Sequence, residues 1–127
     1  MIYRFTFEGN TPSKKNQKRI LRRKSGVPFI MPSTEYGAWH KEALWRVHSQ
    51  MGSGRGVFPL RACSQVTAHL FYADRRRRDA SNTFESIMDL LVDAGILADD
   101  SWNIVGPTHI YPALRPGRAG WEVAIEA

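Results

Sequence analysis

The sequence has a single cysteine, Cys63, among its 127 residues. A lone cysteine cannot form an internal disulfide, and it excludes a zinc site built from cysteines. No apolar run is long enough to cross a membrane, and the first residues lack a secretory signal pattern. We therefore expect a cytoplasmic protein with no membrane partner, stabilised by an ordinary hydrophobic core.

Acidic residues are the second shortage. Aspartate and glutamate number 12 against 18 lysines and arginines, which gives a formal net charge of +6. Such an excess favours an acidic partner, and its clustering favours nucleic acid over a membrane surface. Charge alone does not separate DNA from RNA. The length suits a single domain, residues 1–127, that buries roughly two thirds of its unfolded surface.

Positive charge is concentrated in two segments, residues 14–24 and the run Arg75–Arg78. Lysine and arginine side chains bind phosphates through their charge and make the affinity strongly dependent on salt. The alternative is that each segment is a solvated basic surface without a ligand. The residues predicted to contact a nucleic-acid backbone are Lys14, Lys15, Lys18, Arg19, Arg75, Arg76, Arg77 and Arg78.

Periodicity predicts the secondary structure. Alternating apolar and polar residues predict strands at 3–7, 65–72, 104–111 and 121–126, and a shorter strand is expected at 27–31. Apolar residues at helical spacing predict one helix from Tyr36 to Met51 and a second, of roughly 12 residues, from Phe84 to Ala94. The glycine-rich segment 52–56 between them is interpreted as flexible.

The order of these elements is strands, helix, strand, helix, strands. That order indicates an α+β domain in which two main helices pack on a mixed β-sheet. Ser81 is placed to cap the second helix at its start, and Gly95 to follow its last turn.

Four carboxylates accompany the second helix. Asp79 precedes it, Glu85 lies on its polar face, and Asp99 and Asp100 follow its end. A bend of the chain would bring them together, and converging carboxylates repel one another unless a cation lies between them. Oxygen ligands suit Mg²⁺ or Mn²⁺, which polarise a phosphoryl oxygen and generate hydroxide near neutral pH. With the arginine run alongside, this pattern is typical of phosphodiester hydrolysis.

The stretch RRRRDASNTFESIMDLLVDAGILADD, residues 75–100, resembles the core of the RusA family of Holliday junction resolvases. The family pattern is an arginine run, Asp-x-Asp-Asn, a lysine, and a helix that ends in glycine before Asp-Asp. The phrase TPSKKNQKRI resembles the N-terminal signature of the same family. Two positions depart from the pattern, because Ser81 replaces the second aspartate and Glu85 replaces the lysine.

The resemblance implies a RusA-like fold, a homodimer that suits the two-fold symmetry of a junction, and a Mg²⁺ (or Mn²⁺) cofactor. Asn82 would orient a carboxylate or a metal-bound water. Glu85, one helical turn beyond Ser81, would supply the missing carboxylate. The implied metal ligands are Asp79, Asp99, Asp100 and Glu85, and the implied catalytic residues are Asp79, Asn82, Glu85 and Asp100.

Three functions are therefore open. The first is a metal-dependent endonuclease that resolves Holliday junctions or related branched DNA in recombination and repair. The second is a RusA-like protein that binds branched nucleic acid without cleaving it, which the residues at Ser81 and Glu85 favour. The third, an RNA-directed protein, is permitted by charge and supported by no motif.

Overall fold

A computed structural model of the chain describes residues 1–13, 18–32 and 34–127, except for the side chains of residues 18–21, 29–32 and 53–55. In chain order the elements are β1 (Ile2–Glu8), β2 (Lys18–Arg22), β3 (Pro28–Pro32), α1 (Thr34–Met51), β4 (Gln65–Tyr72), α2 (Ala80–Asp93), β5 (Thr108–Leu114) and β6 (Gly120–Glu126). A 3₁₀ helix, Gly52–Val57, follows α1. In the described part of the chain, no helix combines the length and apolar character needed to cross a membrane.

The central sheet has four strands in the order β1, β6, β4, β5. The β4–β5 pair is parallel and the other two pairs are antiparallel, so the sheet is mixed. Alternate residues of three strands point to one face and are buried there with residues of α1 and α2, as illustrated by Phe5, Leu70 and Val123. The predicted α+β fold with two helices on a mixed sheet is confirmed.

Helix α1 buries the predicted stripe of Tyr36, Trp39, Ala43 and Val47 against the sheet. Its ring contacts include Phe7 of β1, whose centroid lies 6.3 Å from that of Trp39. The segment predicted to be flexible differs from the expectation, because Gly52–Val57 forms a 3₁₀ helix that continues directly from α1. Short 3₁₀ segments at helix ends satisfy carbonyls that the last turn leaves without partners.

Helix α2 begins two residues earlier than its predicted cap implies and is capped differently. The N-cap is Asp79 and not Ser81, because the Asp79 side chain accepts a hydrogen bond from the backbone N–H of Ser81. The predicted role of Gly95 agrees with its positive φ of 76° directly after the C-cap residue Ala94. The helix therefore has 14 residues, with Asp79 fixed at its start.

Two further segments refine the expectations. Strand β2 lies within the basic segment 14–24 and pairs with β3 in a hairpin. Strand β3 corresponds to the strand predicted at 27–31. The strand predicted at 104–111 lies later, at β5, because Ile104 and Val105 donate their N–H groups to Ser101 in a turn. Gly106 cannot carry a side chain here, since a Cβ would lie 2.1 Å from the Ser64 carbonyl oxygen.

Candidate functional site

Strand β4 ends at the arginine run, and Asp74 organises the start of that run. The backbone N–H of Arg76 donates to Asp74 Oδ1 over 3.0 Å, and Arg78 Nη2 lies 2.8 Å from the same oxygen. The backbone hydrogen bond from Arg76, aided by the two guanidinium groups, lowers the pKa of Asp74 to about 2. Sequence reasoning missed Asp74, although an acid directly before four arginines was a visible signal.

The arginines of the run are held to different degrees. Arg78 lies over the ring of Tyr72, 5.0 Å from its centroid, and donates to the Asp74 carbonyl oxygen over 3.0 Å. Its side chain is 22% exposed, so Arg78 holds the turn in place. Arg75 and Arg77 are exposed and make no ion pair with any side chain that the structure describes. They are therefore the arginines best placed to bind a phosphate.

Asp79 lies at the start of α2 and is engaged by its own turn. Its Oδ1 accepts hydrogen bonds from the Ser81 backbone over 3.0 Å and from Ser81 Oγ over 2.7 Å. The Asp79 carbonyl oxygen accepts from the N–H groups of Asn82 and Thr83. Ser81, which stands where the family pattern has an aspartate, thus supports Asp79 and adds no negative charge.

A cleft of about 330 Å³ opens beside this turn. Its basic wall is the stretch Arg76–Arg78, and its floor includes Asp79 and the first turn of α2. The helix dipole adds partial positive charge at the start of α2, and with the arginines alongside, phosphate binding suits this side of the cleft. The residues that line it are Asn10, Thr11, Pro12, Ser13, Glu35, Arg76, Arg77, Arg78, Asp79, Asn82 and Thr83.

The opposite wall of the cleft is the loop after β1, which two hydrogen bonds anchor to the core. Trp121 Nε1 donates to Thr11 Oγ1 over 3.0 Å, and Ser86 Oγ donates to the Pro12 carbonyl oxygen over 2.9 Å. Next to them, Ser13 Oγ is buried without a hydrogen-bond partner among the described residues. This loop and Glu35 are site residues that sequence reasoning missed, because they lie far from Asp79 in the chain.

Asp99 and Asp100 lie at the other end of α2. The residues before them are bound to the segment that precedes β4, since Leu60 N–H donates to Ile96 and Ala98 N–H donates to Leu60. The residues after them are bound there too, through Cys63 N–H and the Ile104 carbonyl. A helix of 14 residues is about 20 Å long. Asp79 is therefore separated from the Asp-Asp pair by roughly the length of α2.

The surroundings of the Asp-Asp pair also differ from the cleft. Both aspartates are exposed. A shallow hollow beside them is lined by Asp100, Trp102, Val105, Gly106, Pro107 and Thr108, with no lysine or arginine among these residues. The indole of Trp102 is 88% exposed. The residues that line this hollow offer a carboxylate and an apolar ring, with no cationic side chain among them.

The predicted metal ligands do not assemble within one chain. Among the described residues, no group of three or more acidic, histidine or cysteine side chains could hold a metal ion. Glu85 is exposed on α2 and is not among the residues that line the cleft, whereas Asn82 is. The assignment of Asp79, Asp99, Asp100 and Glu85 as ligands stays a prediction.

The cleft supplies part of what a hard cation requires. Glu35 and Asp79 contribute carboxylates, and Asn10 and Asn82 contribute amide oxygens. Mg²⁺ is commonly held by one or two protein carboxylates while waters and substrate phosphates complete its shell. The donor chemistry of the cleft therefore fits a divalent cation, with the remaining ligands to come from elsewhere.

The other predicted nucleic-acid contacts are placed only in part. Lys14 and Lys15 lie outside the described residues. Lys18 and Arg19 belong to β2, where the structure gives the backbone alone. Among the predicted contact residues, those of the arginine run have described side chains, and three of them, Arg76, Arg77 and Arg78, line the cleft.

Comparison with known proteins points in the same direction as this geometry. No protein-family model matches the chain. The chain is 26% identical over 102 residues to the crossover junction endodeoxyribonuclease RusA of Aquifex aeolicus (strain VF5). The match covers 80% of this chain and 75% of that protein.

Proposed function

The chain is RusA-like, and on this premise we propose that it is a metal-dependent endonuclease that cleaves Holliday junctions or related branched DNA. The observation that carries the proposal is the cleft beside α2. There Arg76–Arg78 and the start of the helix favour a phosphate, while Asp79 and Glu35 favour a cation. Phosphodiester hydrolysis needs both preferences at one place.

A homodimer would complete the site. Asp79 directly precedes α2 and the Asp-Asp pair follows it, and α2 itself is about 20 Å long. If two copies place their α2 helices antiparallel about a two-fold axis, Asp99 and Asp100 of one protomer meet the cleft of its partner. Each dimer then has two equivalent composite sites. Two-fold symmetry of this kind matches a four-way junction, in which two strands of the same polarity are cut.

The side chains of each composite site have distinct tasks. Asp79, with Asp99 and Asp100 of the second protomer, would hold Mg²⁺ or Mn²⁺, and Asn82 would orient a carboxylate or a bound water. When bound, the cation activates water and offsets charge on the phosphoryl oxygen. Arg75 and Arg77 would bind the neighbouring phosphates, since their guanidinium groups are exposed. The basic hairpin, with Lys14, Lys15, Lys18 and Arg19, would extend the contact along the backbone.

A second candidate is a protein that binds branched DNA without cutting it. One observation favours it. Where the family pattern has a second aspartate, Ser81 instead donates a 2.7 Å hydrogen bond to Asp79. That bond occupies an oxygen of the remaining carboxylate and leaves the turn with one negative charge in place of two.

Cleavage of an end-labelled synthetic four-way junction separates the two candidates. The wild type is assayed in Mg²⁺ and in Mn²⁺, next to Asp100→Asn and Glu85→Gln, with junction binding measured in parallel. Paired symmetric cuts by the wild type, lost in Asp100→Asn without loss of binding, support the endonuclease. Tight binding by the wild type with no cut in either metal supports the second candidate. An RNA duplex of equal length, used as a competitor, tests for RNA preference.

A further inference from the structure

We propose that Glu35 is a ligand of the divalent cation and takes the place of the second aspartate that this chain lacks. The inference rests on the proposed function and deepens it. The sequence pointed to Glu85 for this task, one turn along α2 from Ser81. The cleft contains Glu35 instead, and Glu85 is not part of its lining.

Glu35 reaches the cleft from the first turn of α1, directly before the buried residue Tyr36. One turn further along, α1 contacts the far end of α2, where His40 lies 2.8 Å from Asp93. The first turn of α1 borders the cleft through Glu35, and the first turn of α2 borders it through Asn82, directly after Asp79.

Charge balance favours a second carboxylate in this cleft. Of the three arginines that line it, Arg76 and Arg78 pair with Asp74, whereas Arg77 makes no ion pair with a described side chain. The starts of the two helices add partial positive charge, so a cation beside Asp79 is stabilised by a second carboxylate. Ser81 adds no charge, and its hydroxyl already donates to Asp79 Oδ1. Glu35 is the other carboxylate among the lining residues. It makes no ion pair or hydrogen bond with any side chain that the structure describes, so it is not neutralised within that set.

A second, independent feature of the cleft points to a ligand. Ser13 Oγ lies on the cleft wall and is buried, yet no described group accepts or donates a hydrogen bond to it. A buried hydroxyl without a partner is costly, and a bound cation or its water shell would satisfy it. Together with the amides of Asn10 and Asn82, this hydroxyl surrounds the two carboxylates with oxygen donors of the kind that Mg²⁺ and Mn²⁺ bind.

The alternative role for Glu35 is purely structural, namely to stabilise the first turn of α1. An acid in the first turn stabilises a helix through its dipole, typically by a few tenths of a kcal/mol at an exposed position. That role requires no cation, and it predicts a change in folding stability without a change in metal affinity. The two roles are therefore separable by experiment.

The experiment measures Mn²⁺ binding to the full-length protein by titration calorimetry and by the loss of the free Mn²⁺ resonance signal. Wild type, Glu35→Gln and Glu85→Gln are compared, with Glu42→Gln as the matched control at an exposed α1 carboxylate outside the cleft lining. Glu35→Gln should weaken Mn²⁺ binding about tenfold or more, while Glu42→Gln stays within about twofold of wild type. Glu35→Asp, which keeps the charge, should recover part of the loss. Junction binding in EDTA and the unfolding midpoint should be close to wild type in all variants.

Equal Mn²⁺ affinity in Glu35→Gln and wild type would overturn the inference, whether or not the unfolding midpoint changes. A loss in Glu85→Gln with none in Glu35→Gln would overturn it as well and would restore the residue that the sequence pattern favoured. In both cases a wild type that cuts junctions keeps the proposed function intact. A wild type that neither binds Mn²⁺ nor cuts removes the proposed function and the inference together.

Discussion

The two ends of α2 differ in the side chains that surround them. At its start, Asp79 lies in a cleft with three arginines and Glu35. At its far end, Asp99 and Asp100 are exposed beside Trp102, in a hollow without lysine or arginine in its lining. One end is suited to phosphate and the other to cations. Under the proposed function neither end is sufficient alone, so the proposal requires that two protomers assemble to bring the two ends together.

The largest expected effect tests whether the two halves meet across a dimer. Asp79→Asn and Asp100→Asn should each lower junction cleavage about a hundredfold or more, because each removes a ligand from every composite site. When the two variants are mixed and allowed to exchange protomers, about half of the dimers gain one site with both wild-type ends. Nicking of one strand should return in the mixture, as measured on a labelled junction.

An inactive mixture would contradict the proposed site that two protomers share. If cleavage required both ends of the same helix, no exchange of protomers could restore it, and the cluster would have to form within one chain. The control is a mixture of Asp99→Asn with Asp100→Asn, which lie at the same end and should not complement each other.

A second test distinguishes the roles of two arginines at the start of α2. Arg77 is exposed and makes no ion pair with the described side chains, whereas Arg78 is fixed by Tyr72 and Asp74. Arg77→Ala should weaken junction binding and reduce the slope of log affinity against log salt by about 1. Arg78→Ala should instead lower the free energy of unfolding by about 1 kcal/mol, since it removes a ring contact and a hydrogen bond. Binding titrations at several salt concentrations and urea unfolding separate the two.

A reversal of these outcomes would mean that the run is organised differently. If Arg77→Ala left the salt slope unchanged while Arg78→Ala reduced it, Arg78 would be the residue that binds phosphate. The distinction matters, because four consecutive arginines look equivalent in sequence and only their partners differentiate them.

The sequence predicted the fold well because most of the fold is periodic. Alternation in β1, β4 and β6, and the stripe from Tyr36 to Val47, report burial directly. The errors fall where local chemistry has two solutions. Asp79 and Ser81 are both good N-caps, and the chain uses Asp79. Ile104 is apolar at strand spacing, yet its N–H bonds back to Ser101 in a turn.

The site was predictable only where it is contiguous in sequence. The arginine run, Asp79 and Asn82 lie together in the chain and again in the cleft. Glu35 and the loop Asn10–Ser13 join them through the packing of α1 and β1, which no local pattern reports. The convergence of Asp79 with Asp99 and Asp100 stays a prediction, and α2, about 20 Å long, lies between them in the chain.

A third test monitors the solvent exposure of Trp102, which lies beside Asp100. Trp102 and Trp45 are the exposed tryptophans, at 88% and 70%, while Trp39 and Trp121 are buried. In a Trp45→Phe background, acrylamide quenching should therefore report mainly on Trp102. Quenching should decrease when the protein dimerises or binds a junction, if the Asp-Asp end enters the partner's cleft. Unchanged quenching across a concentration series that passes from monomer to dimer would place the interface elsewhere.

The smallest expected effect concerns the pKa of Asp74. Folding lowers this pKa from 3.8 to about 2, mainly through the hydrogen bond from the Arg76 backbone. The ionised carboxylate therefore contributes stability above pH 4, and this contribution is lost as the pH falls from 4 towards 2. Asp74→Asn should lower the unfolding midpoint modestly at pH 6, and the difference from wild type should vanish near pH 2.

Because Asp74 holds the base of the arginine run, the same variant should also weaken junction binding at pH 6. Asp93→Asn, at the other end of α2, should leave binding unchanged, so an equal loss in both variants would mean that the run does not depend on Asp74.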